Sequence, residues 1–316
     1  MMKKLSIVVG PLLLQVFLIL NVWAGEQVGT LANLEGEVKI FAHPSKTLQK
    51  EPGTHVLFEG EYFLVEVAKT GDKMEQGNIL RTAPGAKAQI IFNNGDQFNV
   101  GSATAFRIFW DKDAKTANTR MDLAYGKVRG IVEKGGPRSH FHLRTTTATM
   151  GVRGTDFFVA GGGPDGGTEI SIIRGAVEVT SNEVHAKPIQ VQSGFSVSLA
   201  KTTEPKLALS ELRKTTQEEL RSIQKSSEIS KGSSSNSEIA NLEKKAAEVT
   251  LKDIKHYDPQ LYAKLEASTD KSVTEINRQA IQTLIPEAPR AAAGHAPFKS
   301  EVDNLEDQTY EKYFEK

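Results

Sequence analysis

The residues of this 316-residue chain that could do chemistry are few, and each group lacks a partner. His140 and His142 stand two apart, which in a strand points both imidazoles to one face and suits zinc or copper. Glu133 is the only carboxylate close by, so a third ligand is missing and an ordinary surface pair is expected. Ser139 beside His140 is no nucleophile and base, because adjacent strand residues face opposite ways. Gly161-Gly162-Gly163-Pro164-Asp165-Gly166 fits a G-x-G-x-x-G pattern, but a dinucleotide site needs a helix next and Thr168 to Ile173 reads as a strand. A flexible hairpin loop is expected there, and its one acid, Asp165, cannot cage calcium. The carboxylates are scattered, so no catalysis and no cofactor are expected.

Positive charge concentrates in one stretch. Lys127, Arg129, Lys134, Arg138, Arg144 and Arg153 are interleaved with Tyr125, Phe141 and Phe157. Lys127, Arg129, Arg138 and Arg144 form the candidate binding patch, suited to an anionic glycan, peptidoglycan or an acidic protein segment. Solvated strand faces account for the same residues. Over the whole chain 39 basic residues balance 39 acidic ones, so no global field attracts nucleic acid or an anionic membrane. The absence of cysteine excludes disulfides, thiol nucleophiles, iron–sulfur clusters and a lipid-modified cysteine.

The elements that must position these residues are mostly strands. Val38 and Ile40, then Phe63, Val65 and Val67, then Phe98 and Val100, then Phe106, Ile108 and Trp110 alternate with their neighbours as half-buried strands do. Asn94-Gly95 between two such runs predicts a tight hairpin. Gly36, Gly126 and Gly175 each precede a strand valine by two residues, at spacings of 90 and 49, too irregular for a short repeat. The expected fold is mainly β, either an irregular solenoid or a sandwich, followed by a polar helical region. Thin apolar stripes mark that region: Leu209, Leu212, Leu220 and Ile223; Ile239, Leu242, Ala246 and Val249; Leu261 and Leu265; Val273, Ile276, Ala280 and Ile281. The predicted organisation is 1–24 signal peptide, 25–203 β-domain, 204–286 helices and 287–316 mobile tail.

The signal peptide rests on Lys3 and Lys4, the apolar run from Leu5 to Leu20, and Val22-Trp23-Ala24 at the cleavage position. Its removal takes two lysines and no acid, leaving the mature chain near neutral with no stable membrane span. A periplasmic or otherwise exported location is expected.

Met150-Gly151-Val152-Arg153-Gly154-Thr155-Asp156-Phe157, the run Ile173-Arg174-Gly175-Ala176-Val177 and the late Gly194 resemble, in order, the hallmark of the FecR domain family. Gly77 to Thr82 and the Asn94 hairpin look like its earlier strands, so the resemblance spans about 28–200. Gly151, Arg153, Gly154, Thr155, Phe157, Gly175, Val177 and Gly194 are read as structural. Arg153 is expected to tie the bend through its planar fork. Familiar members are anti-sigma regulators with a cytoplasmic domain, a membrane helix and a periplasmic FecR domain. Here only Met1 to Lys4 precede the apolar run, so anti-sigma activity is not expected. The resemblance implies a β-module that binds another envelope protein, in signalling or scaffolding, with a cell-wall or glycan polymer as the alternative partner.

Overall fold

The structure is a computed structural model, and it describes residues 27–48, 50, 52–109, 120–136, 141–162, 166–182, 187–200, 212–230 and 236–285. The expected signal peptide and tail lie outside the described residues. Strands β1 (Gln27–Glu35), β2 (Val38–Ser45), β3 (Thr54–Phe58), β4 (Glu61–Val67), β5 (Lys73–Glu75) and β6 (Ile79–Thr82) come first. β7 (Lys87–Ile91), β8 (Gln97–Val100), β9 (Thr104–Phe109), β10 (Arg120–Ile131), β11 (Phe141–Arg144) and β12 (Ala148–Val152) follow. β13 (Asp156–Gly161), β14 (Thr168–Arg174), β15 (Ala176–Ser181), β16 (Ile189–Gln192), β17 (Phe195–Leu199) and the short β18 (Arg213–Lys214) complete the series.

These strands form two open sheets. Sheet A runs β5-β1-β7-β8-β10-β13-β14-β17-β18. Sheet B runs β3-β4-β2-β6-β9-β10-β11-β12-β15-β16. The sheets stack with one apolar core between them, to which both contribute. Phe98 of sheet A stacks on Phe106 of sheet B at 5.7 Å and meets Phe141 edge-on at 5.9 Å. Such ring pairs add about 0.5–1.5 kcal/mol each beyond the area they bury. Among the described pairings only β10–β11 is parallel. The parallel stacking of coils found in a parallel β-helix is therefore confined to that one pairing among the described residues.

β10 belongs to both sheets. Arg120 to Tyr125 pair with β9 in sheet B, and Gly126 to Ile131 pair with β13 in sheet A. The strand bends at Gly126, where φ is +98° and a Cβ would lie 2.3 Å from Thr104 Oγ1, so only glycine fits. Gly36 and Gly175, also at positive φ, lie between β1 and β2 and between β14 and β15. The three echoed glycines thus mark places where the chain passes from one sheet to the other, which is why their spacing has no period. The Asn94-Gly95 hairpin joins β7 to β8 as expected. Val67, grouped by alternation with Phe63 and Val65, is 66% exposed at the end of its strand. Trp110 lies outside the described residues.

Among the described residues four helices follow: α1 (Gln217–Ser227), α2 (Ser237–Tyr257), α3 (Pro259–Ala267) and α4 (Val273–Gln282). Their starts are set by side-chain caps: Thr216 in a capping box with Glu219, then Asn236, Asp258 and Ser272. The predicted stripes from Leu220 onward are buried except Leu242, which is partly buried. Leu212 is 45% exposed instead, because the next residues pair with β17 as β18 before the helix starts. Leu209 lies outside the described residues. The helices cover the outer face of sheet A: Leu220, Ile223 and Ile281 pack on Phe158, Ala160 and Ile173, and Ile239 and Ala246 share a cluster with Ala32 and Ile91.

Candidate functional site

The sheet face beneath the helices is largely polar, and the expected basic patch divides there. Lys127 and Arg129 lie on the sheet A half of β10, under the helices, with 3% and 2% exposure, so they are no part of an open surface. Arg144 is exposed on β11 of sheet B, and Arg138 lies outside the described residues. The crossing of β10 between sheets and the helical roof cause the division.

Arg129 binds Asp156 through both carboxylate oxygens, Nε to Oδ1 and Nη2 to Oδ2 at 2.9 Å each, and its Nη1 donates to the Asn277 carbonyl of α4 at 3.2 Å. Arg174 donates to the same carboxylate through Nη2, while its Nε lies 3.7 Å from Asp253 of α2. Burial alone would raise the Asp156 carboxyl; the Arg129 and Arg174 guanidiniums outweigh it and hold the acid below the usual carboxylate range. Asp253 behaves oppositely. Burial pushes it up to about 6, with Arg174 pulling down and Asp156 pushing up.

A row of amides extends the seam. Asn33 donates to Gln89 at 2.8 Å and to Glu243 of α2 at 2.9 Å. Gln97 donates to Thr250 at 2.9 Å and accepts from Asn277 at 2.7 Å. Lysines close the rim: Lys73 meets Glu238, and Lys87 donates to the carbonyls of Lys225 at 2.8 Å and Glu228 at 2.7 Å. Inside the seam Asn99 and Asn277 each turn an unpaired Oδ1 toward a cavity of about 10 Å³, the size of one water. A wider groove of about 440 Å³ lies at its edge between Glu133, Lys134 and the end of α2, where Lys252 donates to Glu133 at 2.6 Å.

A second charged clasp joins β14, β18 and α1. Arg213 binds both Glu169 and Glu219, and Glu219 is also the capping-box acid of α1. Burial and the adjacent Glu219 raise Glu169; burial opposes ionisation of Glu219 as well, but the Arg213 hydrogen bonds draw it down. Two carboxyls pushed apart in this way can mark an acid and a base. Here both are held by the arginine that ties β18 down.

The motif residues gather at one corner. Gly154, at φ +68°, would place a Cβ 2.3 Å from Lys134 Cα, and Gly175 packs on the Gly154 carbonyl. Thr155 Oγ1 donates to the Ala176 carbonyl at 3.0 Å, while Phe157 and Val177 enter the core. The Gly194 amide donates to the Ile172 carbonyl at 2.8 Å, and Gly151 lies within β12, half-buried. Arg153 is exposed. The sequence missed Asp156, Arg174, Asp253 and Asn277 as a group. One signal for them exists: β13 is buried at every position, so both of its faces are covered.

His142 is exposed on β11, and His140 lies outside the described residues. No group of three metal-ligating side chains occurs among the described residues, and no helix among them is long and apolar enough to cross a membrane. The G-x-G-x-x-G run is followed by β14, a strand, as expected; Gly163 to Asp165 lie outside the described residues.

Comparison with curated proteins gives no match. Two crystal structures of a Parabacteroides distasonis protein, provisionally described as an anti-sigma factor, align at 18% identity and a TM-score of 0.35. The alignment covers 44% of this chain and 59% of that one. The family model described as FecR protein matches residues 78–178, a narrower span than the motifs suggested, running from β6 into β15 through the middle of both sheets. It takes in the Arg153-Gly154-Thr155 corner, Arg129, Asp156 and Arg174: the chain contains a FecR domain.

Proposed function

We propose that this chain is an exported, non-catalytic protein that binds another protein of the cell envelope through its FecR domain, in signalling or scaffolding. One observation carries the reading. The charged and amide groups of the domain converge on the seam with the chain's own helices α1–α4, where they grip a helical surface, rather than on a cleft fit for a substrate. Export is supported by the basic start, apolar run and Val22-Trp23-Ala24 ending of the N-terminal segment. The test is cross-linking in the native host with a tagged full-length chain. A specific envelope protein is expected to be retained, and the tagged chain is expected to begin at Gly25 by mass spectrometry. Retention of nothing above a control, with no phenotype on deleting 28–200, overturns the proposal.

A further inference from the structure

We propose that the outer face of sheet A is a docking surface for an amphipathic helix of a partner protein, and that α2 with its companion helices fills it as a displaceable occupant in cis. The inference rests on the protein-binding reading above and names its surface. The residues of α2 that meet the sheet form one stripe, Ile239, Glu243, Ala246, Thr250 and Asp253, spaced by three and four. The sheet reads that stripe group by group. Asn33 takes Glu243, Gln97 takes the Ala246 carbonyl and the Thr250 hydroxyl, and Arg174 faces Asp253. The expected partner helix therefore carries a carboxylate at the Glu243 position and, ten residues on and about 15 Å along the axis, a carboxyl or its neutral amide, with small or hydroxyl residues between them.

Two features make the occupant exchangeable. The helices have an apolar core largely of their own, built from Ile239, Ile254, Leu261, Leu265, Val273 and Ile276, to which sheet A adds Ala32 and Ile91. The remaining contact mixes one small apolar cluster with charges and amides, as interfaces between separable bodies do. The charged groups that cross the seam are Asp253 near Arg174 and Glu243 on Asn33, and the cost of desolvating such groups offsets much of what their contacts gain. Asp253 also sits in its seam at a disadvantage when ionised, since burial outweighs the help of Arg174. A competing helix binds only the uncovered fraction of molecules, so its apparent affinity follows how often the seam opens.

The experiment uses the full-length chain, whose natural lack of cysteine leaves an introduced pair as the only thiols. Lys73→Cys and Glu238→Cys, at the rim where those side chains meet, are joined by a short bis-maleimide, with the unjoined double variant as the folding control. The probes are a labelled peptide of residues 237–257 and the envelope protein retained in cross-linking. Joining the cysteines is expected to lower binding of both at least tenfold, and Glu243→Lys with Asp253→Lys in the peptide is expected to abolish its binding. Equal retention of the envelope protein by joined and unjoined chains overturns the inference while leaving the proposed function standing. Failure to retain any envelope protein, with no phenotype on deleting 28–200, overturns the proposed function, and the peptide still reports on the surface. A doubled mass by light scattering when the unjoined chain is concentrated, abolished by joining, overturns the inference in favour of a second copy as the occupant.

Discussion

The outer faces of the two sheets solve the same problem in different ways. Sheet A carries polar side chains outward and is roofed by helices that answer several of them; sheet B keeps no such roof among the described residues and stacks arginines on rings. Arg107 lies over Phe63 at 5.4 Å and Phe109 at 4.4 Å and pairs with Glu61 at 2.7 Å, while Arg120 covers Phe109 from the next strand at 4.3 Å. Farther along sheet B, His142, Arg144 and Glu178 are simply exposed. Similar charged residues therefore carry very different energies. Under the roof, an arginine without its carboxylate is a buried charge; on the open face it returns to water.

Substitutions should expose that contrast, most strongly at Asp156. Asp156→Ala strands Arg129 and Arg174 together in the seam and is expected to cost about 3–5 kcal/mol in denaturant unfolding. Asp253→Asn tests the seam in the other direction. The folded state keeps the Asp253 proton up to about pH 6, whereas the unfolded chain releases it near the ordinary aspartate value of 3.8, so stability falls as pH rises between the two. The substitution is expected to add about 1–2 kcal/mol at pH 7, and thermal melts should show the gain disappearing below about pH 4. A loss at pH 7 would mean that the ionised acid is a net anchor of the roof. On sheet B, where the Arg107 side chain is 13% exposed between its rings and Glu61, Arg107→Ala is expected to cost about 1 kcal/mol through its ring contacts, by the same unfolding measurement. Arg144→Ala should stay within about 0.5 kcal/mol. A cost near that of Asp156→Ala at Arg144 would break the comparison.

Much of the scaffold was legible in the chain. Alternation located the strands, Asn94-Gly95 located the β7–β8 hairpin, and the stripes from Leu220 to Ile281 located the helices, because each signal is carried by neighbours a few residues apart. The seam was not legible. Arg129 finds Asp156 at a separation of 27 residues and Asn277 at 148, and an arginine alternating with apolar residues looks the same whether water or a helix lies above it. The unbroken apolar run Phe157-Phe158-Val159-Ala160 did hold the clue, since a strand with one face in water would alternate. Pattern could show that a cover existed; only the folded chain shows which helices supply it.

The shared strand β10 has a consequence for how the molecule is made. Its two halves pair backward to β9 and β8, which emerge earlier from the ribosome or export channel, and forward to β11 and β13, which emerge later. The segment up to residue 131 can thus close both sheets on its earlier side while the later side stays an open template. Chain growth and sheet growth then run in the same direction, with β10 as the keel on which the second half of each sheet is laid. The roof comes last in that sequence, so the polar face of sheet A stands bare in the nascent chain until the helices emerge.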